Sequence, residues 1–462
     1  MRIASTLKTT TLLVLAAGCA ADPVAGPRAE TALASVVTAN EGRATGTHLV
    51  NYRPGERASA RAAVEAVGGR VVREMPQIAM LQVAGLGGGA SAGALATSSG
   101  VAAVTEDREV FARPLPRALR NAVAPEGLSL QGTDQRGAFF FPVQWNMRVS
   151  GADRAWKPSG TGAGKLVCIL DTGIDPQHLD LAGNVDPAMT VSGIALPRYP
   201  SDVTPLDFDF HGTFIAGLVA SNGIGVASVA PDAKLCSIKV LSQDGRGTFA
   251  DILFGILQAA DWNADAINLS LGAVIDVNEP IFAGLVANMQ AAVNYANTKG
   301  SLVVAAAGNL GVNFDEAPAR FVHIPSMLAN VVSVGATAPF NQGSFDQLAS
   351  YSNHGGIRTV DLVAPGGDLL PGGVTEDLVI SACSQYARSL PFTCTSRSFV
   401  YASGTSFASP LVAAAAAVVE STIGNRTPAQ HDACLRGTAQ RVGSRWMYGS
   451  GRLDVAAALN CP

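Results

Sequence analysis

The sequence predicts an α/β fold with a mostly parallel central sheet covered by helices on both faces, and three observations lead there. Short apolar, β-branched runs recur at 165–170, 234–240, 266–269, 302–306, 331–334 and 360–363. They are continuous rather than alternating, as strands buried on both faces are. Stretches of helical character separate several of them, at 249–260, 282–298 and the alanine-rich 407–420. Strands alternating with helices close as a parallel sheet between helical layers. Finally, 48% hydrophobic against 15% charged residues supplies ample apolar material for a large core. Sheets of this kind place ligands beyond the carboxyl ends of their strands, and Asp171 and Asn309 stand at two such ends.

A chain of 462 residues is long for one domain and suggests two or three units. The elements can be taken in order. Arg2 and Lys8 precede an apolar run, Thr11 to Gly18, that is too short to cross a bilayer, which needs about 20 residues. Residues 1–19 therefore read as an export signal. Within them, Leu15-Ala-Ala-Gly-Cys19 looks like a bacterial lipobox, which would lipidate Cys19; ordinary cleavage nearby is the alternative. Residues 20–45, rich in Ala, Pro, Gly and Thr, read as a tether.

From 46 to 113 the pattern is strand, helix, strand, strand, helix, strand, a small α+β unit of ferredoxin-like order. Residues 114–144 carry prolines, arginines and glycines without a regular period and read as a linker. The large unit runs from 145 to 462. With a formal net charge of −4 and no long basic run, nothing in the composition points to nucleic acid.

With Cys19 set aside, six cysteines remain, an even number that permits disulfides in an exported chain. Cys383 and Cys394 bracket a short loop and form the best pair; Cys434 and Cys461 would staple the last helix. Cys168 and Cys236 lie in strand patterns, where a bond and two small buried thiols are equally compatible. Neither His-Glu-x-x-His nor Cys-x-x-Cys occurs, so no zinc spacing is present.

Three strings carry the chemistry: Asp171-Thr-Gly-Ile-Asp175, His211-Gly-Thr-Phe-Ile-Ala-Gly217 and Gly404-Thr-Ser-Phe-Ala-Ser-Pro410. A carboxylate at the end of a buried strand is held rigidly enough to orient a histidine and stabilise its cation. An imidazole, neutral near pH 7, suits a base that takes a hydroxyl proton and returns it. A serine at a helix start sits among free N–H groups that favour negative charge. Taken singly, each has a bland alternative: a turn aspartate, a structural histidine, an N-cap serine. Pro410 is expected to be tolerated as a residue of the first helical turns.

In this order the strings resemble the catalytic segments of the subtilisin-like serine proteases, the subtilases. The resemblance covers about residues 46 to 462 and implies the family's three-layer fold, with Asp171, His211 and Ser406 as triad. Ala305-Ala-Ala-Gly308-Asn309 resembles the oxyanion segment, with Asn309 as donor. Asp244-Gly245-Arg246-Gly247-Thr248 and Ser270-Leu271-Gly272, with Gly308, resemble edges that bond a substrate backbone as added strands. Two positions depart from the family: Phe210 stands where glycine usually precedes the histidine, and Phe214 where a second histidine is common.

Asp180 and Asn222-Gly-Ile-Gly225 resemble positions that bind structural calcium in some relatives, with a metal-free turn as the alternative. No cofactor is required for the chemistry. Residues 46–113 resemble the family's inhibitory propeptide, which implies a zymogen cut within 114–144. The implied partners are peptide or protein substrates and the chain's own propeptide, with membrane contact only through a lipid anchor, in a secreted or cell-envelope protein. Two rivals stand beside this reading: a catalytically silent copy of the fold used for binding, and a protease restricted to one processing site.

Overall fold

The computed structural model describes residues 43–111, 120–124, 134–156, 160–356 and 359–461. Cys19, the export signal, all but the end of the tether and about half of the linker lie outside the described residues.

The small unit has the expected order: β1 (Ala44–Tyr52), α1 (Arg57–Ala66), β2 (Arg70–Met75), β3 (Met80–Ala84), α2 (Gly89–Ala96) and β4 (Val101–Phe111). Its strands pair antiparallel in the order β2-β3-β1-β4. Alternation along the strands gives the sheet two apolar faces. Val50, Leu81 and Val83 pack on Ala60, Val64 and Leu95 of the unit's own helices. Leu49, Met75 and Met80 face outward and join the core of the large body. A short β5 (Arg120–Val123) follows, so the linker read as irregular contains a strand.

The large body is built on an eight-stranded sheet. Its strands are β6 (Leu166–Asp171), β7 (Val185–Ser192), β8 (Lys234–Lys239), β10 (Ala266–Leu269), β12 (Leu302–Ala306), β14 (Val331–Phe340), β15 (Gly343–Leu348) and β16 (Leu362–Pro365). The order is β15-β14-β12-β10-β6-β8-β7, with β16 also on β14. All neighbours are parallel except β14 and β15. Three short strands complete this part of the chain, β9 (Arg246–Thr248), β11 (Ala273–Asp276) and β13 (Phe321–Ile324). Further on, β17 (Val379–Ala382) and β18 (Ser398–Ala402) form a second small sheet with β5.

Helices α3 (His211–Val219) and α6 (Thr405–Thr422) cover one face of the main sheet, and α4 (Phe249–Asp261) and α5 (Pro280–Thr298) the other. Strand β6 shows why its sequence is continuously apolar. Val167 and Ile169 enter the core beside α3 and α6, while Leu170 enters the core beside α4 and α5. Helix α6 is buried from Thr405 to Val419, and its alanines let it lie close under the strands.

All six paired cysteines are bonded. Cys383–Cys394 and Cys434–Cys461 match the expected pairs, the latter tying α7 (Pro428–Gly437) to the C-terminus. Cys168 and Cys236, left open by the sequence, are also bonded, because the parallel register of β6 and β8 sets them opposite each other with Cα atoms 4.5 Å apart.

Candidate active site

Asp171 is the last residue of β6 and His211 the first of α3, each 1% exposed. His211 Nδ1 lies 2.8 Å from Asp171 Oδ1, which also accepts the Thr172 N–H at 2.7 Å. The ring leans on Phe407, the residue after Ser406, with centroids 5.4 Å apart. Phe214 packs on the same Phe407 at 4.2 Å, so the position where relatives often carry a second histidine is here an apolar support. Phe210 takes φ 149°, a left-handed conformation that a side chain resists, which is why glycine suits that position. Burial pulls the His211 imidazolium down, but the Asp171 carboxylate, with Asp209 and Asp207 behind it, more than offsets this and holds its pKa above the ordinary histidine value.

Ser406 is the second residue of α6, behind Gly404 as N-cap, so its own N–H is one of the helix's free donors. Its hydroxyl donates to the Ser270 carbonyl at 3.1 Å, while His211 Nε2 has no hydrogen-bond partner among the described residues. For the two to meet, the hydroxyl would have to rotate away from that carbonyl, a rearrangement common in unliganded sites. Asn309, just past β12, is oriented by its oxygen: Oδ1 accepts from the Thr405 N–H at 2.9 Å and from Thr405 Oγ1 at 2.7 Å. With that oxygen engaged, the amide N–H₂ is the end presented beside Gly404 and Ser406.

Pro410 needs a correction. It is the sixth residue of α6, not one of the first free positions, and its missing N–H is the one that would have served the Ser406 carbonyl. Ser270 supplies the donor instead, its Oγ reaching Ser406 O at 2.7 Å. Asn268 Nδ2 holds that hydroxyl in place at 2.8 Å. Ser270 was expected to act through its backbone edge; its side chain has this second role, which an isolated Ser-Leu-Gly string cannot reveal.

The other expected edge, Asp244 to Thr248, contains β9 and already carries an added strand. The end of β4 pairs with it antiparallel, Glu109 opposite Thr248, Val110 opposite Gly247 and Phe111 opposite Arg246. Asp107, two residues earlier, accepts the Ala250 N–H at the start of α4.

The residues expected to hold calcium do not fit a cation. Asp180 Oδ1 accepts the Ile224 N–H at 2.7 Å, and Oδ2 accepts those of Gly225 at 2.9 Å and Val226 at 2.8 Å. Asn222 turns its amide N–H₂ toward the carbonyls of Leu179 and Ala182. Calcium requires six to eight oxygens; donors surround this carboxylate instead. The loop closes as a hydrogen-bonded turn, and its three N–H groups offset part of the burial that raises the Asp180 pKa.

Behind the Asp–His pair lies a buried network that sequence reading missed. Asp207 accepts Thr172 Oγ1 at 2.9 Å on one oxygen, and the Thr213 N–H at 2.9 Å and Oγ1 at 2.6 Å on the other. It thereby staples the end of β6 to the start of α3. Lys239, buried at the end of β8, donates to the Thr172 carbonyl at 2.6 Å. Burial lowers its pKa, opposed chiefly by Asp207. Asp209, two residues before His211, is pushed up to about 7 by burial and by Asp207. The Cys383–Cys394 loop closes over this segment, with Ser384 Oγ on the Asp207 carbonyl at 2.6 Å and Ser389 Oγ on that of Asp209 at 3.0 Å. An acidic pair just ahead of a helix start was the only available signal.

The subtilase family model matches residues 162–451. The chain is 34% identical over 286 residues to a thermophilic serine proteinase of Bacillus sp. (strain AK1), covering 61% of this chain and 59%, less than two thirds, of that relative. Identity to subtilisin BL of Lederbergia lenta is 34% over 318 residues, 68% of this chain and 98% of the relative. The epidermin leader peptide processing serine protease of Staphylococcus aureus shares the fold, with a TM-score of 0.72 over 90% of this chain and 97% of its own at 23% identity. A lanthipeptide protease aligns at TM-score 0.59 and 26% identity over 71% of this chain and 97% of its own. With the family model spanning well over half of the chain and a subtilisin relative matched almost end to end, the chain belongs to the subtilase family of subtilisin-like serine proteases.

Proposed function

We propose that this subtilase is an exported serine endopeptidase made as a zymogen that cuts itself within 114–144. The observation that carries the reading is the 2.8 Å Asp171–His211 contact, set beside a serine at the N-terminus of a buried helix. In the proposed cycle the Ser406 hydroxyl leaves the Ser270 carbonyl and passes its proton to His211 Nε2 as Oγ attacks the peptide carbonyl. Asp171 stabilises the resulting imidazolium. The developing oxyanion accepts hydrogen bonds from Asn309 Nδ2 and the Ser406 N–H. His211 returns the proton to the leaving amine, and water repeats the sequence to free the enzyme.

The small N-terminal unit would act as inhibitor by holding an edge that substrate needs. Its support is the antiparallel β4–β9 pairing, the mode by which an extended peptide adds to a sheet. Among the described residues no helix is long and apolar enough to cross a membrane. A lipid on Cys19 would lie on the N-terminal side of the cut, so self-cleavage would release the catalytic body.

Intact mass of the exported chain beside Ser406→Ala tests the reading. Shortening of the wild type within 114–144, with the variant left full length, supports self-processing. Both chains staying full length, with no reaction of Ser406 with a serine-directed phosphonate, would make the fold a silent binding protein instead.

A further inference from the structure

Phe210 breaks two local rules at once. It is the N-cap of α3, a position that favours a short polar side chain or glycine, and its own side chain caps nothing. Its backbone stands at φ 149° and ψ −21°, a conformation that a side chain resists. Neighbours offset the loss. Asp207 Oδ2 accepts the Thr213 N–H and Thr172 Oγ1 accepts that of Gly212, donors that an ordinary cap leaves to water or serves itself. Asp207 Oδ1 also accepts the Phe210 N–H at 3.0 Å. Strain held in place in this way is characteristic of functional sites.

What the strained backbone secures is the place of a ring. Phe210 is buried, and its ring stands edge-on to the His211 imidazole, with centroids 6.4 Å apart, and to Phe214 one turn along α3, at 6.5 Å. Phe214 packs on Phe407, and Phe407 on His211. Three buried phenylalanines thus close a circuit of rings with the imidazole, and one of them is the chain neighbour of Ser406. Two of the three, Phe210 and Phe214, are the positions at which the sequence departs from the subtilase pattern.

We propose that Phe210 is a positioning residue, whose ring closes this circuit so that His211 is kept from water and at a fixed place relative to the start of α6. This inference rests on the peptidase activity proposed above. The charged groups around the imidazole are Asp171 at the end of β6 and Asp207 and Asp209 ahead of α3, with Lys239 of β8 among those carboxylates; the first turn of α6 brings none. Burial is the largest influence on the imidazole and lowers its pKa, against the carboxylates. Water admitted in place of the Phe210 ring would relieve that burial while the Asp171 contact remains, so the pKa would rise. A base must be neutral to act, and the acid limb of kcat/KM would move to higher pH.

Phe210→Ala and Phe210→Gly provide the test, because both remove the ring but only glycine relieves the backbone. Rates are taken per active site titrated with a serine-directed phosphonate, so that misfolded protein does not enter them. In both variants kcat is expected to fall by about tenfold or more, a scale on which misplacement of a reacting group acts, with the acid limb shifted to higher pH. Phe210→Gly is expected to melt above Phe210→Ala, the reverse of the order at an unstrained site. An unchanged kcat per site and acid limb in both variants would overturn the inference, since a ring that only fills the core changes stability alone. Phe210→Ala melting at or above Phe210→Gly would remove the strained seat on which it stands. Should the wild type cut no peptide, the peptidase reading fails instead. The His211 titration, followed by proton NMR in the same three proteins, then decides the inference, and an imidazole pKa that does not rise in the variants sinks it.

Discussion

Asp171 and His211 sit in a lattice of buried polar contacts, whereas Ser406 and Asn309 hang on a handful of hydrogen bonds at the mouth of one helix. On the first side, Asp207 alone gathers Thr172, Thr213 and the backbone N–H groups of Asp209 and Phe210. Lys239 and the Cys383–Cys394 loop brace the same segment from two directions. On the second side, Thr405 alone orients the Asn309 oxygen, and Ser270 stands in for the donor that Pro410 removed. The difference fits the tasks proposed for the two sides. A base must keep one tautomer and one orientation, which redundancy secures. A nucleophile must swing from its resting partner to the base, and its surroundings cannot lock it.

Removal of single groups should therefore be felt unequally. The largest effect is expected at the sparsely held side: Asn309→Ala should lower kcat by about 10²–10³ with KM little changed, the cost known for the corresponding donor of subtilisin itself. Steady-state kinetics on one peptide would check it, and a fall in KM-dependent binding alone would argue that Asn309 contacts the ground state only.

A smaller effect, about tenfold in kcat, is expected for Ser270→Ala, which strands the buried Ser406 carbonyl at a cost of about 1–3 kcal/mol. Pro410→Ala returns an N–H to that carbonyl. The double variant should therefore recover most of the loss, leaving a coupling of roughly 1 kcal/mol in a double-mutant cycle. Strict additivity would break the comparison, since the serine side would then not be short of a donor.

The smallest effect is expected on the redundant side. Asp209→Asn removes a negative charge that raises the His211 pKa. A base must be neutral to act, so activity falls as pH drops through that pKa; lowering it moves the acid limb of kcat/KM to lower pH, with the plateau nearly unchanged. A large loss of plateau activity instead would mean that Asp209 holds the geometry of His211 rather than its charge.

Much of the proposed centre was legible from local chemistry. Each residue of the proposed triad sits in a short string whose neighbours decide its setting: an apolar run before Asp171, a helix start at His211, a glycine ahead of Ser406. The α/β order was legible as well, since continuous apolar runs report burial on both faces. What escaped reading acts across long separations. The Ser270 hydroxyl serves a carbonyl 136 positions away, and Lys239 serves one 67 positions away. The role given to Pro410 was wrong for a related reason: the helix begins at Thr405, and one turn decides whether a proline costs a hydrogen bond.

The sequence by itself determined which residues could react and on which kind of element each would stand, because side-chain chemistry and hydrophobic period are local properties. Only the tertiary structure decided partners. Register made Cys168 and Cys236 a bond, three N–H groups turned the expected calcium ligand Asp180 into a capped turn, and β4 came to lie along β9. The physical reason is that period specifies the face a residue turns to, whereas pairing depends on how strands and loops distant in the chain are brought into register.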